Sequence, residues 1–292
     1  MNFDSSYSTN LNYLQEIKFE TLKTLLQLHR SANSGHIGSS LSCLDILIYL
    51  FFQEMQKEDK LVLSKGHAAS ALYSILFKRG DISQDTLNSY YNKNGTLLSA
   101  HPPCNGMLQG VTFGTGSLGH GLSLAIGMAL ANRFKKENKK ENKKNNVYVI
   151  LSEGDLNEGQ TWEGLLFAAH HSLNNLFIII DNNNLQGFGR SNEVLNLESL
   201  QAKLLSFNLN VVTAENGNDF DSIHSSFLSL KMDKMMDKIG PKCIIAKTTK
   251  GAGISYMENR LEWHYLPMNE EQYKQALKEI KEIKEIKEIE RS

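Results

Sequence analysis

The sequence of 292 residues has little cysteine, little net charge and no long apolar run. Its three cysteines, Cys43, Cys104 and Cys243, are odd in number and lack CxxC spacing, so we expect reduced thiols in a cytoplasmic protein. A formal net charge of −1 argues against a nucleic-acid-binding surface. No apolar run approaches the roughly 20 residues that span a bilayer, and residues 1–10 lack the apolar region of a signal peptide. We therefore expect a soluble protein with one large domain or two small ones.

Two short apolar segments, 147–151 and 177–180, are each followed directly by polar side chains. Their composition is typical of parallel strands buried on both faces, and the segment between them has the length of one crossover helix. Glu153 and Asp155 follow the first segment, and an Asp/Asn cluster at 181–184 follows the second. Both sets would lie at one edge of the sheet, where carboxylate and amide oxygens suit Mg²⁺ or Ca²⁺ bound together with a phosphate. The structural alternative is a helix N-cap followed by a polar turn.

The rest of the chain alternates helical and strand patterns. We predict helices over 11–30, 42–50, 122–134, 220–236 and 270–289, and strands over 61–63, 208–213 and 243–247. The Lys/Asn/Glu run at 135–146 predicts a solvated helix end and loop. In the C-terminal tail, isoleucines recur every third residue, which favours a frayed, solvated helix over a coiled coil. Together these elements predict an α/β three-layer sandwich with a mostly parallel central sheet flanked by helices.

Five loops carry polar or glycine-rich residues where we expect strands to end: near His67, Gly116, Glu153, Asn183 and Lys250. The glycine-rich stretch 114–121 opens a helix, and backbone N–H groups at such a position favour an anionic ligand. A single histidine or glycine-rich turn is usually structural. Several of them at one sheet edge predict a ligand site.

In their order along the chain, these phrases resemble the N-terminal, diphosphate-binding half of the transketolase family of thiamine diphosphate enzymes. The matching phrases are Ser34-Gly35-His36, Ser64-Lys65-Gly66-His67-Ala68, His101-Pro102, Thr115-Gly116-Ser117-Leu118-Gly119, Asn157-Glu158-Gly159, Asp181 to Gln186, Lys247 to Gly253 and Trp263-His264. They cover nearly the whole chain apart from its two ends. The resemblance implies a polar extension at 1–10, a thiamine diphosphate-binding α/β domain at 11–268 and a charged helix at 269–292.

The resemblance also implies a role for individual residues. A divalent cation, Mg²⁺ or else Ca²⁺ or Mn²⁺, would be held by Glu153, Asn183 and the backbone carbonyl of Leu185. The implied contacts to thiamine diphosphate come from His67, Gly116, Ser117, Leu118, Gly154, Asp155, Asn183, Lys250 and His264. The implied catalytic residues are His36, His67, His101, Glu158 and His264. Among these, His36 and His101 would shuttle protons in the substrate channel, and Glu158 would relay protons across a dimer interface.

The acidic cluster departs from the family pattern, which usually reads Gly-Asp-Gly-Glu where this chain reads Ser-Glu-Gly-Asp at 152–155. An ungapped match through the following Asn-Glu-Gly phrase puts the metal on Glu153, which we prefer. A literal Gly-Asp match puts it on Asp155, which otherwise would cap the following helix. Ile37 and Tyr265 stand where the family often has proline and glycine, and Tyr265 would narrow the substrate entrance.

The implied reaction transfers a two-carbon ketol unit from a ketose or ketose phosphate to an aldose acceptor. Fewer than thirty residues follow His264. We therefore expect a separate C-terminal subunit to supply the family's second domain and the glutamate that activates the aminopyrimidine, in a dimer of heterodimers. Two alternatives remain open: a thiamine diphosphate-dependent synthase or dehydrogenase half that acts on 2-oxo acids, and an inactive cofactor-binding scaffold. The Lys-Gly-His, His-Pro and Trp-His phrases favour sugars.

Overall fold

Five short apolar segments form one parallel sheet, because both of their faces are covered by helices. The computed structural model describes residues 5–91, 96–103, 107–139, 145–232 and 240–289. The strands are β1 (Lys60–Leu63), β2 (Val147–Ser152), β3 (Leu176–Asn182), β6 (Asn210–Ala214) and β7 (Lys242–Lys247). Their order is β1-β2-β3-β7-β6, and each neighbouring pair is parallel. The predicted α/β class is confirmed.

Side chains alternate across the sheet and build a separate apolar core on each face. In β2, Tyr148 and Ile150 belong to the larger core, whereas Val149 and Leu151 belong to the smaller one. The same alternation in β3 separates Ile179 from its neighbours. Helices pack on both cores, and this arrangement produces the predicted three layers.

The helices divide between the two faces. The larger core is covered by α1 (Ser5–Ala32), α2 (Ile37–Ser42), α3 (Leu44–Tyr49), α4 (Ala69–Arg79), α10 (Phe220–Lys231) and α11 (Glu270–Ile289). The smaller core is covered by α6 (His120–Lys139), α7 (Gly159–His170) and α9 (Leu200–Ser206). Further described elements are α5 (Gln84–Asn88), α8 (Ser191–Val194), a hairpin of β4 (Leu185–Gln186) and β5 (Gly189–Arg190), a π-helical turn (Leu50–Glu54) and 3₁₀ turns at Gly66–Ala68, Asp155–Asn157 and Leu261–His264.

Two element predictions are wrong in part. The helix predicted over 42–50 begins later, because α2 ends at Ser42 and α3 starts at Leu44. The glycine-rich loop at Gly116 does not follow a strand but leads from an irregular segment into α6. The helix predicted over 220–236 is observed to Lys231, and its last predicted residues lie outside the described ranges, as does Cys104. Cys43 and Cys243 are buried free thiols.

The C-terminal helix α11 is partly core, contrary to the solvated end predicted for it. Ala276 and Ile280 are buried in the larger core, and α11 contacts α1. The isoleucines nevertheless drift around the helix as predicted, since Ile283 is 37% exposed and Ile286 is 56% exposed. The early turns of α11 therefore close the core while the later turns face solvent.

The sequence-based domain limits stay a prediction. Helix α1 begins at Ser5 and so runs through the expected boundary at residue 10. No helix in the described ranges combines the length and the hydropathy needed to cross a bilayer.

Candidate active site

A cavity of about 310 Å³ lies at the carboxyl edge of the parallel sheet, within the size range of small-molecule sites. Loops after β1, β2, β3 and β7 contribute to it, as the βαβ argument predicts. It is lined by His36, Ser39, Lys65, His67, His101, Gly116, Leu118, Ser152, Glu153, Gly154, Asn183, Leu185, Gln186, Gly187, Phe188, Lys250, His264 and Tyr265. All five loops singled out in the sequence therefore reach one cavity.

Four histidines from distant parts of the chain form one cluster in this cavity. The ring centroid of His36 lies 5.6 Å from that of His67, 6.5 Å from that of His101 and 5.3 Å from that of His264. His36 has a left-handed backbone (φ 67°), which turns the chain between α1 and α2. Its N–H donates to the carbonyl of His264 at 3.2 Å. This bond fixes two of the four histidines relative to each other.

The histidines of the cluster favour the neutral form. Burial lowers the pKa of His67 well below its ordinary value, and the nearby Lys65 and His264 add to the shift. Burial, followed by the charge of Lys250, lowers the pKa of His264 to about 3. Burial also lowers the pKa values of His36 and His101. At neutral pH the cavity therefore holds imidazoles that can accept or donate a proton.

Lys250 connects the histidine cluster to the hairpin of β4 and β5. It is 1% exposed, and its Nζ lies 2.8 Å from His264 Nδ1 and 3.3 Å from the carbonyl oxygen of Leu185. Since an ammonium donates, Nδ1 of His264 accepts and Nε2 carries the proton. Burial, together with the charge of Lys65, lowers the pKa of Lys250 to about 8.

Glu153 is the acidic side chain of the cavity. It is 4% exposed; its Oε1 accepts from Asn182 Nδ2 and its Oε2 from the backbone N–H of Asn184, both at 2.7 Å. Burial raises its pKa, and nearby Asp181 acts in the same direction while hydrogen bonds oppose it. Asn183 is held by its own contacts, with Oδ1 accepting from the N–H of Leu185 at 3.1 Å.

This oxygen set fits a hard cation and does not fit a cluster of soft ligands. Within the described ranges, no three His, Cys, Asp or Glu side chains gather as a metal-binding group. The candidate ligands are instead one carboxylate (Glu153), one side-chain amide (Asn183) and one backbone carbonyl (Leu185), all lining the cavity. The carbonyl of Leu185 already accepts from the ammonium of Lys250, so its oxygen faces positive charge. Few protein oxygens of this kind suit Mg²⁺ completed by phosphate and water.

Glycines bring backbone close to the space where a ligand would lie. A Cβ at Gly116 would lie 3.1 Å from the ring of His101, and one at Gly154 would lie 2.8 Å from a methyl carbon of Leu118. A side chain at either position would therefore crowd the wall of the cavity. Such close backbone is what a bound diphosphate needs, so the site also fits the implied cofactor.

Asp155, the alternative metal ligand, does not line the cavity and is fully buried. Its Oδ1 accepts from Ser64 Oγ and from the N–H of Gly119 at 2.8 Å. Its Oδ2 accepts from the N–H and the hydroxyl of Ser152 at 2.7 and 2.8 Å. These bonds join the glycine-rich loop to the end of β2, and they occupy both carboxylate oxygens. The helix α7 has no side-chain cap, so the expected capping role is wrong.

Two other sequence-predicted residues lie outside the cavity lining. Ser117 is exposed, beside the lining residues Gly116 and Leu118. Glu158 is exposed at the start of α7. A larger neighbouring cavity of about 400 Å³ shares Glu153 but contains none of the four histidines.

Sequence reasoning missed a buried ion pair beneath the cavity. Lys65 donates to Asp181 and to the carbonyl of Ser39 at 2.9 Å, and both charged side chains are 1% exposed. Burial acts to lower the pKa of Lys65, but Asp181 outweighs it and the pKa is raised. Lys65 belongs to a matched phrase, and its position directly after β1 was the available signal. Gln186, Gly187 and Phe188 were missed as lining residues because they lie in a short hairpin without periodicity.

A family profile described as "Transketolase, thiamine diphosphate binding domain" matches residues 19–285. This chain belongs to the transketolase family. The match spans the sheet, the histidine cluster and most of α11, so the resemblance expected from the motifs is confirmed.

Two relatives within the transketolase family cover most of the chain. One of the two subunits of an apulose-4-phosphate transketolase from Phocaeicola vulgatus is 36% identical over 269 residues, which is 88% of this chain and 90% of the relative. The 6-deoxy-6-sulfo-D-fructose transketolase subunit SqwG of Clostridium sp. is 35% identical over 254 residues, which is 84% of this chain and 88% of the relative.

A solved transketolase shares the fold but is a longer chain. The crystal structure from Campylobacter jejuni superposes with a TM-score of 0.80 at 29% identity. The match covers 91% of this chain but 43% of that transketolase. This chain thus spans less than half the length of the solved transketolase that it resembles.

Proposed function

We propose that this chain is the cofactor-binding subunit of a thiamine diphosphate-dependent transketolase. Such an enzyme transfers a two-carbon ketol unit from a ketose or ketose phosphate to an aldose. The observation that carries the proposal is the meeting of four histidines, Glu153 and Asn183 in one cavity at the carboxyl edge of the sheet. Membership of the transketolase family supports it.

In this proposal the oxygens of Glu153, Asn183 and the Leu185 carbonyl hold Mg²⁺, which binds the diphosphate. The backbone at Gly154, Gly116 and Leu118 lies against the cofactor. Bound thiamine diphosphate supplies the thiazolium carbon at which carbon–carbon bonds next to a carbonyl are broken and formed. The protein supplies alignment, because binding through metal and loops fixes the position of the ring.

The neutral histidines carry the proton transfers of the proposed reaction. His36 and His101 accept and return protons at the hydroxyl groups of the sugar. His67 and His264 lie at the diphosphate and thiazolium side of the site. Lys250 fixes the tautomer of His264 through its contact with Nδ1, which leaves the Nε2 proton available to a ligand.

A second subunit completes the proposed enzyme. The relatives from Phocaeicola vulgatus and Clostridium are named as transketolase subunits, and this chain covers 90% and 88% of them. By analogy, a partner supplies the glutamate that activates the aminopyrimidine, in a dimer of heterodimers. Glu158, exposed at the start of α7, is available to such an interface.

The test is an assay of two-carbon transfer with the purified chain, with and without its partner subunit. We expect transfer only when both subunits, thiamine diphosphate and Mg²⁺ are present. The two relatives are named for different ketoses, so a panel of ketose donors and a 2-oxo acid should be assayed. Substantial ketol transfer by the chain alone would refute the split arrangement, and turnover of the 2-oxo acid alone would favour the synthase alternative.

A further inference from the structure

Tyr265 connects two segments of the cavity lining that are far apart in the chain. Its hydroxyl donates to the carbonyl oxygen of Gly187 at 2.7 Å, across 78 positions of sequence. Its ring lies beside that of His264, with the centroids 4.7 Å apart, and the residue is 54% exposed. Tyr265 therefore lies at the solvent side of the cavity and touches both the histidine cluster and the hairpin.

One side of this contact is firmly held. The N–H of His36 donates to the carbonyl of His264 at 3.2 Å. A Cβ at Gly35 would lie 2.3 Å from the carbonyl oxygen of Tyr265, so the backbone of the two segments is packed without space between them. The backbone of Tyr265 is thus fixed against the turn that carries His36.

The other side is a small hairpin. Strands β4 and β5 contain two residues each, and Phe188 at the tip is 88% exposed. An isolated two-stranded hairpin is marginally stable in water, so its position depends on contacts with the rest of the protein. The contact of Tyr265 with Gly187 is nearest to the tip. Further back, Lys250 donates to the carbonyl of Leu185 and Asn157 donates to Gln186.

Gly187 is shaped to accept this contact. A Cβ at Gly187 would lie 2.6 Å from the hydroxyl oxygen of Tyr265 and 3.3 Å from Nε2 of His264. Any larger residue at this position would displace the tyrosine or the hairpin. The pairing therefore needs both the hydroxyl at 265 and the glycine at 187.

We propose that Tyr265 gates the cavity by holding the β4–β5 hairpin over bound cofactor. The proposal rests on the proposed function, since it takes thiamine diphosphate with Mg²⁺ as the ligand. Leu185 and Gln186 of the same hairpin line the cavity, and the carbonyl of Leu185 is a candidate metal ligand. Movement of the hairpin would therefore loosen a wall of the site and one ligand of the metal together. The tyrosine slows release of the cofactor without contacting the reacting atoms.

The test compares Tyr265→Phe, which removes only the hydroxyl, with Tyr265→Ala, which also removes the ring. Gly187→Ala disrupts the same contact from the hairpin side. Tyr13→Phe is the matched control, because Tyr13 is 47% exposed and lies on α1, away from the cavity. Two quantities are measured: hydrogen–deuterium exchange of the amides at 185–191 in the chain without ligand, and the rate at which bound thiamine diphosphate is released from the complex with Mg²⁺ and the partner subunit.

We expect Tyr265→Phe to raise both rates about three- to tenfold, the range for loss of one hydrogen bond, while Tyr13→Phe changes neither. Equal exchange at 185–191 in the wild type and all three variants overturns the inference, whatever the ligand. Faster exchange with an unchanged release rate also overturns the gating role. If the wild-type complex binds no thiamine diphosphate, the proposed function fails, and the gating role fails with it even though the exchange data would still show that Tyr265 holds the hairpin.

Discussion

At the residue scale, the chemistry of the cavity depends on which groups are charged. The pKa values of the four histidines are lowered by burial, whereas Lys250 retains a pKa of about 8. The motifs predicted which residue types meet, because each phrase occurs at a turn beside a sheet or helix end. They did not predict the contact of Lys250 with His264, because the loop between them has no periodicity from which a distance follows.

The choice between Glu153 and Asp155 shows the same limit. Both residues follow β2 and both carry a carboxylate, so the pattern left the metal ligand open. The structure separates them by their partners: Asp155 is enclosed by four donors from the protein, whereas Glu153 lines the cavity. The donors to Asp155 come from three separate loops, and sequence spacing does not reveal such non-local contacts.

The buried pair of Lys65 and Asp181 predicts a large loss of stability when one partner is removed. We expect Lys65→Met to lower the free energy of unfolding by about 3–5 kcal/mol, because it leaves a buried carboxylate without its cation. The matched control is Lys247→Met. Lys247 pairs with Glu215, but their side chains are 53% and 73% exposed, so we expect a change of less than about 1 kcal/mol. Urea unfolding of both variants at pH 7.5 measures the difference, and equal effects would contradict the prediction.

At the scale of elements, the strands were predicted best and the chain ends least well. The strands are continuous apolar segments, and each was predicted to within two residues of its observed ends. Helix α11 was predicted at its observed bounds but not as part of the core. Its Lys-Glu-Ile repeat has no single apolar stripe, and the sequence does not indicate that only its early turns meet α1.

The division within α11 predicts that equal substitutions have unequal effects. Ile280→Ala should lower the free energy of unfolding by about 2–5 kcal/mol, because Ile280 is buried in the larger core and its loss leaves a cavity. Ile286→Ala should change it by less than about 0.5 kcal/mol, because that side chain is 56% exposed. Urea unfolding of the two variants is the measurement. A small effect at Ile280 would show that α11 does not close the core.

At the scale of the whole molecule, the class of fold followed from the sequence but the order of the strands did not. The βαβ pattern required parallel neighbours β2 and β3, and the structure has them. The position of β7 between β3 and β6 depends on pairing between segments that are far apart in the chain, which no local pattern encodes. The same long-range order brings the loop of Lys250 to the cavity.

Buried neutral histidines make the stability of the whole fold depend on pH. Burial lowers the pKa of His29 to about 4, although its bond to the carbonyl of Ser34 acts in the opposite direction. The unfolded chain has the ordinary value of about 6.5. The contribution of His29 is therefore fully present above about pH 6.5 and is lost as the pH falls toward 4.

The variant His29→Gln isolates this contribution, since His29 is 1% exposed and lies outside the cavity lining. Between pH 7.5 and pH 5 the wild type should lose about 2 kcal/mol more unfolding free energy than the variant does. Urea unfolding at the two pH values measures both losses. Parallel losses in the two proteins would show that His29 is not held neutral by the fold.

The central claim is that a divalent cation held between Glu153 and Asn183 anchors the diphosphate of the cofactor. The most direct measurement is isothermal titration calorimetry of thiamine diphosphate into the chain with its partner subunit. Wild-type protein and the double variant Glu153→Ala/Asn183→Ala are compared, with Mg²⁺ and with a chelator. We predict binding by the wild type with Mg²⁺, and at least tenfold weaker binding, about 1.4 kcal/mol, when the chelator replaces Mg²⁺ or both side chains are removed. Binding of equal strength in the folded double variant, or binding by the wild type that the chelator leaves unchanged, would contradict the claim.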